Sequence, residues 1–583
     1  MPINKTDSTT NQTLITEAGN PQRTGESNPV KSYTSVSNLP TASQFGKGVA
    51  QVGDSLFVSD GRNIEPLNGG GYQRYPIDSD PIEIDFSFRQ GSIAAGGGMP
   101  AITFSNGVQY GTEFGWNAGT VMADGYYAAI SKSITAVDLS NLDNFVFEMG
   151  FSGNHSNTKV YLIFSSSGSA GTASHRATIL NGTEKPEVCA FTLRKSDFSL
   201  FGTGGVNWAA VNYVEIRFTH NGATTNADTK RSMFAYRIGI GGYTKPKVVI
   251  SCDDIATQLM ATLPLCQQRN IKGTHFVTDT EVINGGVYKN GKMTKAQLDQ
   301  WAALGWDFAA HNVNHKAFGL AIGAYSKSGT VVTMEIAWGT VNNIKEEITL
   351  AVGDKITVTR CNRTGVNGNW TVASVAAIGT DTRQLTFDTG SATAVDSQGT
   401  INGTQNYDGG VLSIDKYDVG ADNLTLQNMI EAEGYPVNKK IMAYTYGQHD
   451  FKAKKALFNN GVKIMRTTAG AGTGGVPSIV QIRRKHGLSP STFVDYSDNT
   501  PRFNSNLFSF TTLQLTTLSA LQTEIDKLLL TGGVYSVFWH GDETGAFPMT
   551  TQIMLDVLNY LANLRDLGLI ELIQFNDLLY LTK

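Results

Sequence analysis

The chain has 583 residues, more than one domain holds and enough for about three to five. Hydrophobic residues make up 40% and charged residues 16%, with 62 Gly against 16 Pro, a balance that favours β-rich, turn-rich architecture over helical bundles. The formal net charge of −4, a pI near 6.2 and the absence of a Lys/Arg block argue against nucleic acid as a partner.

The cysteines, Cys189, Cys252, Cys266 and Cys361, are scattered without a C-x-x-C pair, so neither a disulfide framework nor a thiolate zinc site is expected. The stretch Met1 to Thr13 lacks the charged and apolar regions of a signal peptide, and nowhere do about eighteen apolar residues run together. No membrane insertion is expected, and synthesis in the cytoplasm is. Residues 1–40, rich in Thr, Ser, Asn and Gln, bury too little apolar surface to offset their ordering entropy and are expected to be flexible. Within 41–80, the residues flanking Gly53-Asp54 read as a hairpin of two short strands. Leu39 to Gly61 resembles linker segments near the N-termini of bacteriophage tail-fibre and tailspike proteins. That resemblance implies attachment to other virion tail proteins through the N-terminus, location in the virion, and a homotrimer.

Over 81–245 the hydrophobic period is two. Phe145 to Met149, Lys159 to Phe164, Tyr213 to Phe218 and Met233 to Ile238 are β-branched and aromatic runs separated by Gly/Ser/Asn turns, which predicts a β-sandwich. The run from Trp208 to Phe218 resembles the jelly-roll modules that accompany carbohydrate-active enzymes. Such modules serve as sugar binders or as spacers, and Trp208 is expected in the core.

After Lys247 the pattern changes to alternating strand and helix, which predicts an α/β layer or barrel. An apolar strand Val248 to Cys252 runs into Asp253-Asp254, and a later strand through Ala309-Ala310 runs into His311-Asn312-Val313-Asn314-His315. One carboxylate and two neutral imidazoles can hold a divalent metal, most simply Zn2+, while leaving positions for water and a substrate carbonyl. Asp254, His311 and His315 supply that set. Successive side chains of a strand face opposite ways unless the backbone turns, so only one of the adjacent carboxylates points at the metal. Asp253 is then available as a general base.

The order of segments resembles the polysaccharide deacetylases of the NodB-homology type, carbohydrate esterase family 4. The family's Thr-Phe-Asp-Asp corresponds to Ser251 to Asp254, its His-x-x-x-His to His311 and His315, its Arg-x-Pro-Tyr-Gly to Ala443 to Gly447, and its Leu-x-His to Phe538 to His540. The resemblance implies a distorted β/α barrel, Asp253 as base, Asp254 as metal ligand, and His540 as general acid. It also implies that the Tyr446 backbone N–H shares the oxyanion.

Two positions depart from the family. Ala443 stands where the motif has the Arg that holds the base carboxylate. Either another Arg substitutes, Arg466 first, or Asp253 titrates differently. The family's acidic pair ending in Trp, which supports the acid His, is not found intact: Asp495-Tyr496-Ser497-Asp498 has Asn499 in place of Trp, Asp542 is an equal candidate for the role, and His449 lies close enough to the Tyr446 turn to be near the site.

Residues 320–407 revert to short strands and are too long for a structureless loop, so a small β-domain is expected inside the α/β region. Asn367 to Val372 resembles small β-modules of phage tail proteins. The expected architecture is multidomain: a jelly-roll β-sandwich at 81–245, then an α/β deacetylase domain at 246–319 and 408–583 interrupted by that β-domain. The expected activity is metal-dependent removal of acetyl groups from a bacterial surface polysaccharide, capsule or O-antigen. A glycan receptor-binding protein on a degenerate deacetylase fold is one alternative. A glycoside hydrolase or lyase is another, and it requires two carboxylates facing one sugar.

Overall fold

The computed structural model describes residues 31–33, 47–52, 55–60, 64–66, 81–86, 92–96, 112–116, 120–152, 158–181, 188–221, 225–227, 231–278, 293–312, 320–337, 349–359, 366–378, 382–391, 411–444, 451–469, 479–480, 482–483, 487–488, 492–495, 502–514, 517–540 and 550–580. Lys47–Val52 and Ser55–Asp60 form the expected antiparallel pair, with Val52 opposite Ser55. Lys31–Tyr33 lies within the stretch expected to be flexible throughout, yet it pairs parallel to Lys47–Val52. A neighbouring strand supplies the backbone partners that its own composition could not.

The next unit is two antiparallel sheets. One is built on Arg231–Ile240 and Phe145–Ser152, the other on Thr158–Ser165, Val211–His220 and Tyr127–Val137. Alternation sends Phe145, Phe147, Leu162, Phe164, Ile216 and Phe218 into one shared core. Trp208 is half-buried and packs edge-on against Phe198, with ring centroids 5.7 Å apart. Among the contacts to the following unit, Asn144 Nδ2 donates to Thr531 O at 3.0 Å.

In the α/β unit, Lys247–Asp253, Thr274–Val277, Asp307–Ala310, Val437–Ala443, Ile464–Ala469, Arg502–Gln514 and Val534–Trp539 pair in parallel, each with the next. The last pairs back to the first, which closes a seven-stranded ring. Helices lie on the outside, and their starts are set by side-chain caps. Thr294 accepts from Gln297 N in a capping box at the start of Lys295–Leu304, and Asp418, Thr517 and Thr550 cap Val419–Ala432, Leu518–Thr531 and Thr551–Asp566. Val248, Ile250 and Cys252 face these helices. Val249, Phe276, Ala309, Ile441, Ala443 and Ile464 share a second cluster inside the ring.

Between Ala310 and Val437 the chain builds a separate closed barrel, Leu320–Ser328, Val331–Ala337, Thr382–Asp388, Gly368–Ala377, Lys355–Thr359 and Val411–Ile414 in spatial order. Its last strand lies past residue 407, so the insert runs through Ile414, beyond the expected boundary. The cause is pairing: Leu412 sits opposite both Leu320 and Val358, and without that strand the barrel has an open edge.

His275 faces outward from the ring into the helical layer, fully buried against Trp301, Trp306 and Phe308. Neither ring nitrogen makes a hydrogen bond among the described residues. Burial pushes its pKa down from 6.5 to about 3. In the folded chain it stays neutral where the unfolded chain takes up a proton, so stability is lost as pH falls below about 6.5 toward 3. The variant His275→Phe is expected to flatten the fall in urea midpoint between about pH 6.5 and 4.

Candidate active site

The ring presents its interior residues in a simple register. Asp253 lies four positions after the interior Val249, His311 two after Ala309, Arg466 two after Ile464, and Phe538 and His540 four and six after Val534. Even spacing along a strand keeps side chains on one face, so these groups converge at the C-terminal mouth of the ring.

At the ends of two strands the backbone leaves the extended region. Asp254 has φ 58°, Ile255 φ 35° and Asn312 φ 65°, left-handed values uncommon outside glycine. The turn at Asp254 removes the strand alternation that would send adjacent carboxylates to opposite faces. Both carboxylates therefore lie near one imidazole: His311 Nε2 is 3.8 Å from Asp253 Oδ2 and 3.9 Å from Asp254 Oδ1. The alternation rule allows a backbone turn as its exception, and Asp254 makes that turn.

The His311 ring is fixed from behind. Its Nδ1 lies 3.0 Å from the carbonyl of Ala443, which accepts the Nδ1 proton and leaves the Nε2 lone pair toward the carboxylates. Burial lowers the His311 pKa, against the opposing pull of Asp253 and Asp254, and so favours the neutral ring that a metal ligand requires.

Asp253 is almost completely buried and is held by the Arg466 guanidinium through Nη2 on Oδ2. Arg466 has no exposed surface, and its guanidinium carbon lies 5.0 Å from the Phe276 ring centre and 4.5 Å from that of Phe538. Its Nε and Nη1, and Oδ1 of Asp253, find no hydrogen-bond partner among the described residues. Arg466 is the direct register partner of Ala443 on the neighbouring strand. The guanidinium thus enters the ring at the level of Ala443, one strand away. His540 Nε2 is 3.7 Å from the same Asp253 Oδ2, and its half-exposed ring stands edge-on to Phe538 at 5.4 Å.

His315, Tyr446, His449 and Asp542 lie outside the described residues. Asp495 ends the strand Thr492–Asp495 opposite Arg502, and its side chain is likewise outside them. Among the described residues no group of three or more His, Cys, Asp or Glu could hold a metal. Two donors of the expected set do fit one. Ligands about 2.0–2.2 Å from a common ion cannot stand more than about 4.4 Å apart, and Asp254 Oδ1 and His311 Nε2 are 3.9 Å apart.

Sequence reasoning missed Phe276 and Phe538 as the walls around Arg466. Each reads as an ordinary strand aromatic, and only ring closure brings them to one guanidinium.

No family model matches the chain, and no curated protein matches it. Among solved structures it is similar to a family 4 carbohydrate esterase from Streptomyces lividans in complex with acetate, at 9% identity over 57% of this chain and 93% of that one, TM-score 0.24. It is also similar to the chitin deacetylase of the fungal pathogen Colletotrichum lindemuthianum, at 10% identity over 58% and 89%, TM-score 0.24. A third likeness is to a family 11 carbohydrate-binding module of a cellulosomal cellulase of Clostridium thermocellum, at 12% identity over 28% and 96%, TM-score 0.21.

Removing Arg466 leaves a buried carboxylate without its cation. Arg466→Met is expected to lower the unfolding free energy by about 3–5 kcal/mol. In a double-mutant cycle, Asp253→Asn is expected to restore much of that loss. Additive losses in urea denaturation would show that the two groups do not interact.

Proposed function

We propose that the chain is a metal-dependent carbohydrate deacetylase acting on an acetylated bacterial surface polysaccharide. The observation that supports this most is the convergence of His311 and His540 on one oxygen of Asp253, a carboxylate gripped by a buried Arg466. Asp254 and His311, with His315 as the expected third ligand, would hold a divalent cation. Bound there, the cation supplies Lewis acidity toward an acyl oxygen. Asp253 receives the proton of the attacking water at Oδ2, the oxygen both imidazoles face. Arg466 holds that carboxylate in place through Nη2 on Oδ2. His540, half-exposed at the mouth, returns a proton to the departing alcohol or amine.

The tail-protein setting, with virion attachment through the N-terminus and a homotrimer, rests on the likeness of Leu39 to Gly61. Light scattering of the full chain is expected to give three times the single-chain mass.

Acetate release from a panel of acetylated bacterial polysaccharides is expected from the zinc-loaded chain and is lost with chelator. Asp253→Asn is expected to reduce turnover by about 10²–10⁴-fold while zinc binding, followed by calorimetry, persists. His311→Ala is expected to weaken zinc binding itself. A zinc-loaded chain that releases no acetate from any member of the panel overturns the enzymatic reading and leaves a glycan-binding one.

A further inference from the structure

In a two-sheet sandwich the outward-facing residues usually meet water and are small and polar. The outer face of the sheet containing Thr158–Ser165 and Val211–His220 departs from this. Leu162, Phe164, Val214 and Ile216 point into the core, so Tyr161, Ile163, Tyr213, Glu215 and Arg217 alternate outward. Tyr161 and Ile163 are nonetheless buried, in a separate cluster with Ala170, Phe201 and Tyr213. Ala170 comes from the Gly/Ser-rich hairpin connection, which is tethered where Gly168 N donates to Asn212 Oδ1 at 3.0 Å. The connection therefore forms a raised wall beside an aromatic floor.

Charge is arranged on that floor. Arg217 donates from Nε to Glu215 Oε1 at 2.7 Å, and the Tyr213 hydroxyl donates to Glu215 Oε2 at 2.8 Å. Burial pushes the Tyr213 phenol up to about 12, so it stays a donor. Arg217 also lies over the Tyr127 ring at 4.0 Å and 5.1 Å from the centre of Phe201. Arg176 approaches Phe201 from a second direction, 4.7 Å from its centre, and covers Tyr161 at 4.5 Å. Glu215 answers Arg217, and among the described residues no carboxylate answers Arg176. Stacking fixes the orientation of a planar fork whose in-plane donors then suit a carboxylate. Two guanidiniums around one ring, against a single carboxylate, leave the face positive on a chain whose formal charge is −4.

We propose that this face binds an acidic saccharide chain, with a uronate carboxylate received by Arg176 and the sugar lying against the Gly168 wall beside it. The choice of a saccharide over other anions rests on the carbohydrate reading of the barrel site. The aromatic floor and the hydroxyl and carboxylate beside it match a polyhydroxylated ligand with one charge per unit. The face would hold the polymer whose acetyl groups the barrel removes.

Affinity electrophoresis of the full chain in gels containing sodium polygalacturonate, sodium alginate, neutral dextran or poly-glutamate tests this. Retardation by polygalacturonate or alginate is expected, with little by dextran or poly-glutamate. Arg176→Gln is expected to weaken it about tenfold, with an unchanged thermal midpoint. Lys440→Gln, an exposed charge on the other unit, is expected to leave it unchanged. Retardation that is absent in both acidic gels, equal in poly-glutamate, equal in dextran, or unaffected by Arg176→Gln overturns the proposal. The Asp253→Asn chain, run in parallel, separates the two readings. Retardation without acetate release in the wild type removes only the catalytic reading, and acetate release without retardation removes only this one.

Discussion

A guanidinium with no exposed surface, between two phenylalanine rings, holds one buried carboxylate, and the arrangement of the barrel mouth depends on that contact. Arg466 and Asp253 sit on strands that are not neighbours in the ring, so their bond crosses the interior instead of running along the sheet. Taking either charge from water alone would be costly, and pairing offsets that cost only when geometry is fixed. Phe276 and Phe538, from the strands on either side of Asp253, fix it. The contact ties the carboxylate to one position and leaves its Oδ2 shared with two imidazoles. The carboxylate is thereby immobile and close to both rings.

The positive-φ residues at the ends of two strands belong to the same design. Asp254 and Asn312 sit in left-handed conformations where the chain leaves the ring. Such conformations cost free energy and persist where surrounding structure over-determines them. Here they bring the second carboxylate round to the side of His311 and turn the chain out of its strand immediately after His311. The Ala443 carbonyl behind the His311 ring adds a third constraint. Ala443 thus contributes a backbone acceptor, beside its register partner Arg466.

The inserted barrel follows from the same economy of chain ends. Its first and last strands pair with each other, Leu320 opposite Leu412, so entry and exit lie side by side and the host ring need not open to admit it. Its core, around Tyr325, Met334, Val358 and Phe387, is its own. The sandwich upstream is similarly self-sufficient in its core, which leaves its outer face free to carry a cluster of rings and arginines that packing alone does not require.

Much was legible in the chain alone. Period-two alternation from Phe145 to Ile238 specifies strands, because a half-buried pleated surface admits little else. The change of pattern after Lys247 specifies the α/β unit, and the polar tetrad Asp253, Asp254, His311 and His540 stands out because each follows an apolar strand. Arg466 could be named as a candidate partner for Asp253. What remained undetermined was everything that depends on which strand lies beside which. Ala443 and Arg466 are register partners, Phe276 and Phe538 enclose one guanidinium, and Leu412 belongs to the inserted barrel, all because of long-range pairing that local pattern does not encode. The alternation rule holds unless the backbone turns, and only the structure shows the left-handed turn at Asp254 that sets both carboxylates beside His311. Sequence by itself determined which residue types stand at strand ends, through local hydrophobic periodicity. Only the tertiary structure decided which of them share a site, because closure of the ring sets the distances between residues hundreds of positions apart.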